Sequence, residues 1–312
     1  MGLSVTYDNE IGENRHKKDR MLLEKAKSIA ASADVNMKTL SRMSTNISGG
    51  ILRTMKEYEV GEVILCLTDR ETGMAKASLG NVIDNVLSGS HREVMAIRAI
   101  APPGTLRQVV VVVPQKAEYE VGFYKWLEHL CRIGEQTGCK MKFHAHPDTL
   151  KYIPGYMEQK HPQVRVTYEP MPKWNDLKKL YGKLGADQML VVVSARPGFI
   201  SHSTVLDLLP QQIHKYFWQT SVVLLFPDQW GDPLDTVSVF APNGTAVTRQ
   251  SHTLGAWIKN KLFRTTSVLA MFFCLTNATA QAPQWKKMSP FVRQAALTQH
   301  VAPQRTKGMA DT

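Results

Sequence analysis

Two histidines one residue apart, His144 and His146, could do chemistry by their type and spacing. On a strand, alternate side chains share a face, so both imidazoles would point the same way, as some zinc sites require. No carboxylate or cysteine joins them nearby, so they read as an ordinary surface pair and no metal is assigned. Ser194, Ser201 and Ser203 surround His202. They sit in no G-x-S-x-G elbow and have no evident orienting acid, so no catalytic residue is assigned. Cys66, Cys131, Cys139 and Cys274 show neither paired nor metal-ligand spacing. Cys66 lies in an apolar run and reads as a buried free thiol, which fits a reducing compartment. The run Tyr216-Phe217-Trp218 reads as packing, or as a dimer surface, rather than as a platform for bases.

Composition bounds what these residues can belong to. The chain has 312 residues, enough for two domains with ordinary cores, and a formal net charge of +11. That charge is unevenly placed. From Trp257 onward stand Lys259, Lys261, Arg264, Lys286, Lys287, Arg293, Arg305 and Lys307, against Asp311 alone. The rest is only mildly basic and reads as having no basic helix face or aromatic-interleaved stripe, so no nucleic-acid partner is assigned. A membrane span needs about 20 mainly apolar residues. The runs Val109–Val113, Met189–Val193, Val222–Phe226 and Val268–Leu275 are far shorter, so the chain forms no transport pathway alone.

The elements that must position any site come in two similar passes, roughly 3–100 and 106–227. In the first, strands are expected at Leu3–Tyr7, Val35–Ser41, Glu62–Leu67 and Glu93–Ile97. Helices are expected at about Lys18–Ala33, from an Asn46 cap to Glu57, and at Asn81–Leu87, with Ser78–Gly80 as a helix start. Ala101-Pro-Pro-Gly104 continues neither strand nor helix and marks the boundary. In the second, Arg107–Val113, Lys140–Ala145, Val164–Tyr168, Gln188–Val193 and Ser221–Phe226 read as strands. Between them come a helix carrying Phe123, Leu127 and Leu130 that Gly138 ends, one from an Asp148 cap to about Gln159, a stripe from Trp174 to Leu184, and one around Val205–Phe217. Strands alternating with helices imply parallel pairing through right-handed crossovers. The expected fold class is therefore α/β: two tandem doubly wound parallel-sheet domains, 1–103 and 104–256, and a tail, 257–312. Ligands would bind beyond the carboxyl ends of the strands, at the topological switch points.

LSVTYDNE at Leu3–Glu10, the Ile47–Tyr58 helix paired with EVILCL, RQVVVVVPQKAEYEVGF at Arg107–Phe123 and SVVLLFPDQW at Ser221–Trp230 carry a resemblance. The pattern resembles universal stress proteins in tandem, with a flavodoxin-like fold. More narrowly it is similar to the cytosolic C-terminal region of monovalent cation/proton antiporters from Bacteroidetes-type bacteria. Stress proteins that bind ATP place an Asp after the first strand and a glycine-rich loop, G-x-x-G then G-[ST], after the fourth. The resemblance then implies a cofactor-binding site at Asp8, Gly73, Gly80 and Asn81, with backbone amides and a helix N-terminus around the phosphates. That site is degraded, since the loop lacks G-x-x-G. In the second pass Pro114 stands where the Asp belongs and only Gly198 remains of the loop.

The resemblance implies a cytosolic regulatory module at the inner face of the plasma membrane, without transport or enzymatic activity. Its partner would be the antiporter's membrane domain, Met1 would be an internal or truncated start, and a homodimer is open. The alternative is a free-standing soluble stress protein binding a nucleotide, with ATP as its cofactor. Residues 259–282 resemble a secretory signal peptide: a basic start, VLAMFFCL, then Ala278-Thr-Ala280 and Ala280-Gln-Ala282 as cleavage points. The following PQWKKMSPFVRQAALTQH is similar to the start of secreted subtilisin-like peptidases. Two joined reading frames would explain this tail, and Pro283–Thr312 is expected to be poorly ordered.

Overall fold

Valine and isoleucine, stiff at χ1, fill the runs expected to be strands, and such side chains favour extended backbone buried on both faces. A computed structural model describes residues 1–8, 10–67, 78–230, 238–240 and 246–248. The first part contains β1 (Gly2–Tyr7), α1 (Glu10–Ser32), β2 (Thr39–Ser44), α2 (Ile47–Glu57), β3 (Glu62–Cys66), α3 (Asn81–Gly89) and β4 (Glu93–Arg98). The second contains β5 (Gln108–Val113), α4 (Phe123–Thr137), β6 (Lys140–Ala145), α5 (Pro147–Leu150), α6 (Ile153–Lys160), β7 (Val166–Pro170), β8 (Gln188–Val193), α7 (Leu209–Tyr216) and β9 (Ser221–Phe226). The signal-peptide-like segment and the expected disorder of 283–312 lie outside the described residues.

The main sheet has seven strands in the order β3-β4-β9-β8-β5-β6-β7. All its pairs are parallel except β4 with β9, where Ala96 faces Leu224. This corrects the expectation of two separate sheets. The last strands of the two passes pair edge to edge, and this joining removes two exposed strand edges that would otherwise be templates for association. β1 and β2 form a parallel pair of their own, with α1 and α2 against them. The fold is thus α/β with a predominantly parallel sheet.

Two apolar layers cover the main sheet. Trp126, Phe123, Leu127 and Leu130 of α4 fill one side with Val109, Val111, Met141 and Val191. Ile51, Ile83, Ile213, Val110, Val192 and Leu224 fill the other. α2 settles on β1 because residue 50 is a glycine: an added Cβ would lie 2.6 Å from Val5 Cγ1. Asn46 caps α2 by accepting the Gly49 amide at 3.2 Å.

Several expected bounds shift. α1 begins eight residues earlier than the apolar stripe indicates, and β2 starts at Thr39. The Trp174 stripe forms a 3₁₀ helix, Trp174–Leu180, rather than an α-helix. The expected Asp148-capped helix is two short ones, and His146 rather than Asp148 is the cap, its Nδ1 accepting from Asp148 N at 3.3 Å. His144 is buried, not a surface residue, and its burial lowers its proton affinity. The two imidazoles therefore do unrelated work. Among the described residues no group of three or more His, Cys, Asp or Glu could hold a metal. Cys66 is half-buried rather than buried, while Cys131 and Cys139 are buried. Burial raises the Cys131 thiol, whose Sγ lies 3.1 Å from Met157 Sδ.

Candidate functional site

The neighbouring strands β5 and β8 leave in opposite lateral directions, which makes their carboxyl ends the switch point where a doubly wound sheet binds ligands. The loop after β5 begins at Pro114 and carries Glu118 and Glu120. The loop after β8 runs through Ser194, Arg196 and Ser201. Glu120 Oε1 accepts from the Ser201 amide at 2.9 Å and from Ser201 Oγ at 2.8 Å, and Ser201 is buried. Glu118 Oε2 accepts from Thr149 Oγ1 at 2.7 Å, tying the same loop to α5. Carboxylates thus bridge the loops at the switch point, and one of the backbone amides there, that of Ser201, is taken by Glu120. His202 faces Asp207 at 3.0 Å, so Ser201 and His202 engage different carboxylates.

The residues implied for the first pass are only partly gathered. Asp8 is exposed directly after β1, and its amide donates to Ser44 O at 3.1 Å. Gly80 has φ +108° and precedes α3, of which exposed Asn81 is the first residue. No hydrogen bond or ion pair joins Asp8 to Gly80 or Asn81 among the described residues, and Gly73 lies outside them. The start of α3 already has an anion: Asp84 accepts from Ser78 Oγ at 2.6 Å and from the Leu79 amide at 3.3 Å. A carboxylate there takes up the positive end of the helix and repels a phosphate.

A third constellation escaped the sequence reading. Glu62 and Glu93 open adjacent parallel strands and face each other in register. His129 of α4 stands between them, Nε2 at 2.9 Å from Glu62 Oε1 and Nδ1 at 2.8 Å from Glu93 Oε1. With a carboxylate on each nitrogen, both nitrogens donate and the ring is an imidazolium. Burial alone would lower its pKa, but the two carboxylates outweigh burial and push it up to about 10. One helical turn earlier, Lys125 Nζ sits 2.7 Å from Asp228 Oδ2 and 3.3 Å from Gly61 O. Burial works against the Lys125 charge too, and again Asp228 and Glu93 prevail and raise it. Arg92 reaches Asp228 at 3.8 Å. Arg196 donates to Pro227 O and Arg92 O, both at 2.7 Å, and burial brings its pKa down to about 10.

This cluster lies where the antiparallel seam ends. It ties the strand starts of the first pass to α4 and to the loop after β9. Both imidazole nitrogens are occupied by carboxylates, so the ring has no lone pair free, and the contacts fasten α4 to the two strand starts. The sequence carried a signal for it: two glutamates opening otherwise apolar strands, and Lys125 and His129 four apart on one helix face.

The fold and these three places define a doubly wound α/β protein in which carboxylates hydrogen-bond to the loops at the switch point. No family model matches the chain, and no curated protein matches it. Among solved structures it is similar to a universal stress protein from Archaeoglobus fulgidus, at 15% identity and a TM-score of 0.47, over 74% of this chain and 87% of that one. It is also similar to a putative universal stress protein from Pseudomonas aeruginosa, at 12% identity and 0.42, over 72% of this chain and 92% of that one. A functionally unknown Pseudomonas aeruginosa protein aligns at 12% identity and 0.44, over 72% and 81%.

Proposed function

We propose that this chain is a regulatory, partner-docking module, and specifically the cytosolic region of a bacterial monovalent cation/proton antiporter. The observation that carries the regulatory reading is the bridged switch point, where Glu120 holds Ser201 through two hydrogen bonds. In this reading the Ser201 amide and hydroxyl serve the fold through Glu120 rather than a phosphate. The antiporter reading is supported by the similarity of Leu3–Glu10, Arg107–Phe123 and Ser221–Trp230 to that cytosolic region. No helix among the described residues is long and apolar enough to cross a membrane. In this reading transport falls to a membrane domain supplied as partner.

The second reading is a nucleotide-binding stress protein. Exposed Asp8 at a strand end and the positive φ of Gly80 before α3 favour it. Calorimetry of the full chain with ATP and with a cyclic dinucleotide separates the two. We expect no heat of binding up to millimolar ligand. Binding that Asp8→Ala abolishes would establish the second reading instead. The partner is tested by adding the chain to inverted vesicles that hold a sodium/proton or potassium/proton antiporter of such bacteria truncated after its last span. Restored cation-dependent proton exchange is expected, and unchanged exchange counts against the antiporter assignment.

A further inference from the structure

α1 buries one narrow stripe and shows solvent the rest. Leu23, Ala26 and Ala30 are buried against β1 and β2, while Lys17, Lys18, Arg20, Met21, Glu24, Lys25 and Lys27 are exposed. At 3.6 residues per turn the five cations spread over about half the helix circumference. Glu24 is their sole acidic neighbour among the exposed residues 17–32. None of the five forms an ion pair among the described residues. This overturns the sequence expectation of no basic helix face: the run holds acidic residues too, but Asp19 turns inward to accept from Ser4 Oγ at 2.8 Å. Met21 stands inside the basic arc, 74% exposed.

We infer that this face of α1 docks on an anionic phospholipid surface. The match is one of charge and shape. A wide arc of long, flexible cations suits a plane, because side chains at its flanks can reach down to head groups while their stems cover apolar surface. An exposed methionine within the arc, which also holds Glu24, suits the layer just beneath those head groups. Nucleic acid fits less well. The face has no aromatic side chain on which a base could stack. The inference does not depend on the antiporter reading, since it needs only the helix and its charges.

The test is co-sedimentation of the full chain with vesicles of phosphatidylglycerol and phosphatidylcholine, against pure phosphatidylcholine, in low and high salt. Binding is expected only to the anionic vesicles and is expected to weaken with salt. Each lysine near such a surface contributes about a fivefold factor, so Lys17→Gln with Lys25→Gln should lower the partition coefficient by about 25-fold. Lys173→Gln with Lys183→Gln removes equal charge elsewhere and should leave it nearly unchanged. Met21→Ala should weaken binding without changing its salt dependence. Equal binding by the α1 variant and the wild type would overturn the inference and place the contact on the basic residues after Trp257. So would binding to duplex or single-stranded DNA with none to vesicles, or no binding to either.

Discussion

At the scale of single residues, the strongest constraint is the proton on His129. Its folded pKa of about 10 lies above the ordinary value of 6.5. Its stabilising contribution is therefore complete below about pH 6.5, declines as pH rises, and is gone above about 10. Denaturant unfolding measured across that window should show stability falling with pH in the wild type and a flatter profile in His129→Gln. At neutral pH the variant should be less stable by about 3 kcal/mol, because two buried carboxylates lose their shared partner. A variant profile as steep as the wild type would assign the titration elsewhere. Gly122 is a second sharp point. A Cβ there would lie 2.5 Å from the carbonyl oxygen of Asp228 and 2.7 Å from its nitrogen, with backbone that cannot swing aside. Gly122→Ala should cost about 1–3 kcal/mol in thermal unfolding, as overpacking does. Gly122 left no mark in the sequence, and the spacing of Lys125 and His129 marked a helix face without naming its partners, because both residues act on positions distant in sequence.

Elements were more legible than residues, and the exceptions have causes. Asn46 and the valine runs act locally, so the cap on α2 and strands β5, β6, β8 and β9 were readable from neighbours in sequence. The β4–β9 pairing was not, since edge-to-edge joining leaves no local mark on strands already apolar on both faces. The 3₁₀ helix at Trp174–Leu180 has an α-helical apolar spacing, and only its three-dimensional setting tightened it. Asp8, Gly80 and Asn81 stand at element ends, as the sequence indicates, but the hydrogen bonds of Asp84 and Glu120 at neighbouring loops were not readable, since both looked like ordinary surface acids. The docking of α6 on α4 offers a measurable case. His161 sits between Glu128, 2.8 Å from its Nε2, and Glu135, while Tyr156 also donates to Glu128 at 2.6 Å. Burial alone would raise Glu128, yet the hydrogen bonds from His161 and Tyr156 hold its carboxyl far below the ordinary range. A lowered carboxylate stabilises above its ordinary pKa of 4.5 and loses that contribution as pH falls toward the folded value. Glu128→Gln should therefore flatten the loss of stability below pH 4.5, read by unfolding midpoints from pH 5 to pH 2. An unchanged acid limb would mean that this carboxylate is not coupled to folding.

At the scale of the whole molecule the two sheets are unequal. The seven-stranded sheet is covered on both faces by large apolar clusters, and β5, β8 and β9 are buried along nearly their whole length. The β1–β2 pair has two strands, intermediate burial in almost every position, and a small cluster of Ala26, Ala30 and Met37 under α1, while Leu3, Val5 and Tyr7 of β1 pack partly buried against the second large cluster. Polar pins supplement it: Ser4 to Asp19, and Ser41 Oγ to His16 Nδ1 at 3.1 Å. Local opening free energy follows buried apolar contact, so the pair with α1 should open as a unit while the main sheet stays closed. Native-state hydrogen exchange should show amides of Leu3–Thr6 and Leu40–Met43 exchanging by one common opening, well below the global free energy. Those of Val110–Val112, Val191–Val193 and Val223–Leu225 should exchange only with global unfolding. Addition of anionic vesicles should slow exchange in the β1–β2 unit and leave the central strands unaltered, because a surface that holds α1 raises the free energy of opening that unit alone. Equal protection in both groups without vesicles would show instead that α1, β1 and β2 are welded to the main sheet. The basic helix would then be a fixed face of one cooperative body rather than the outer wall of a separable one.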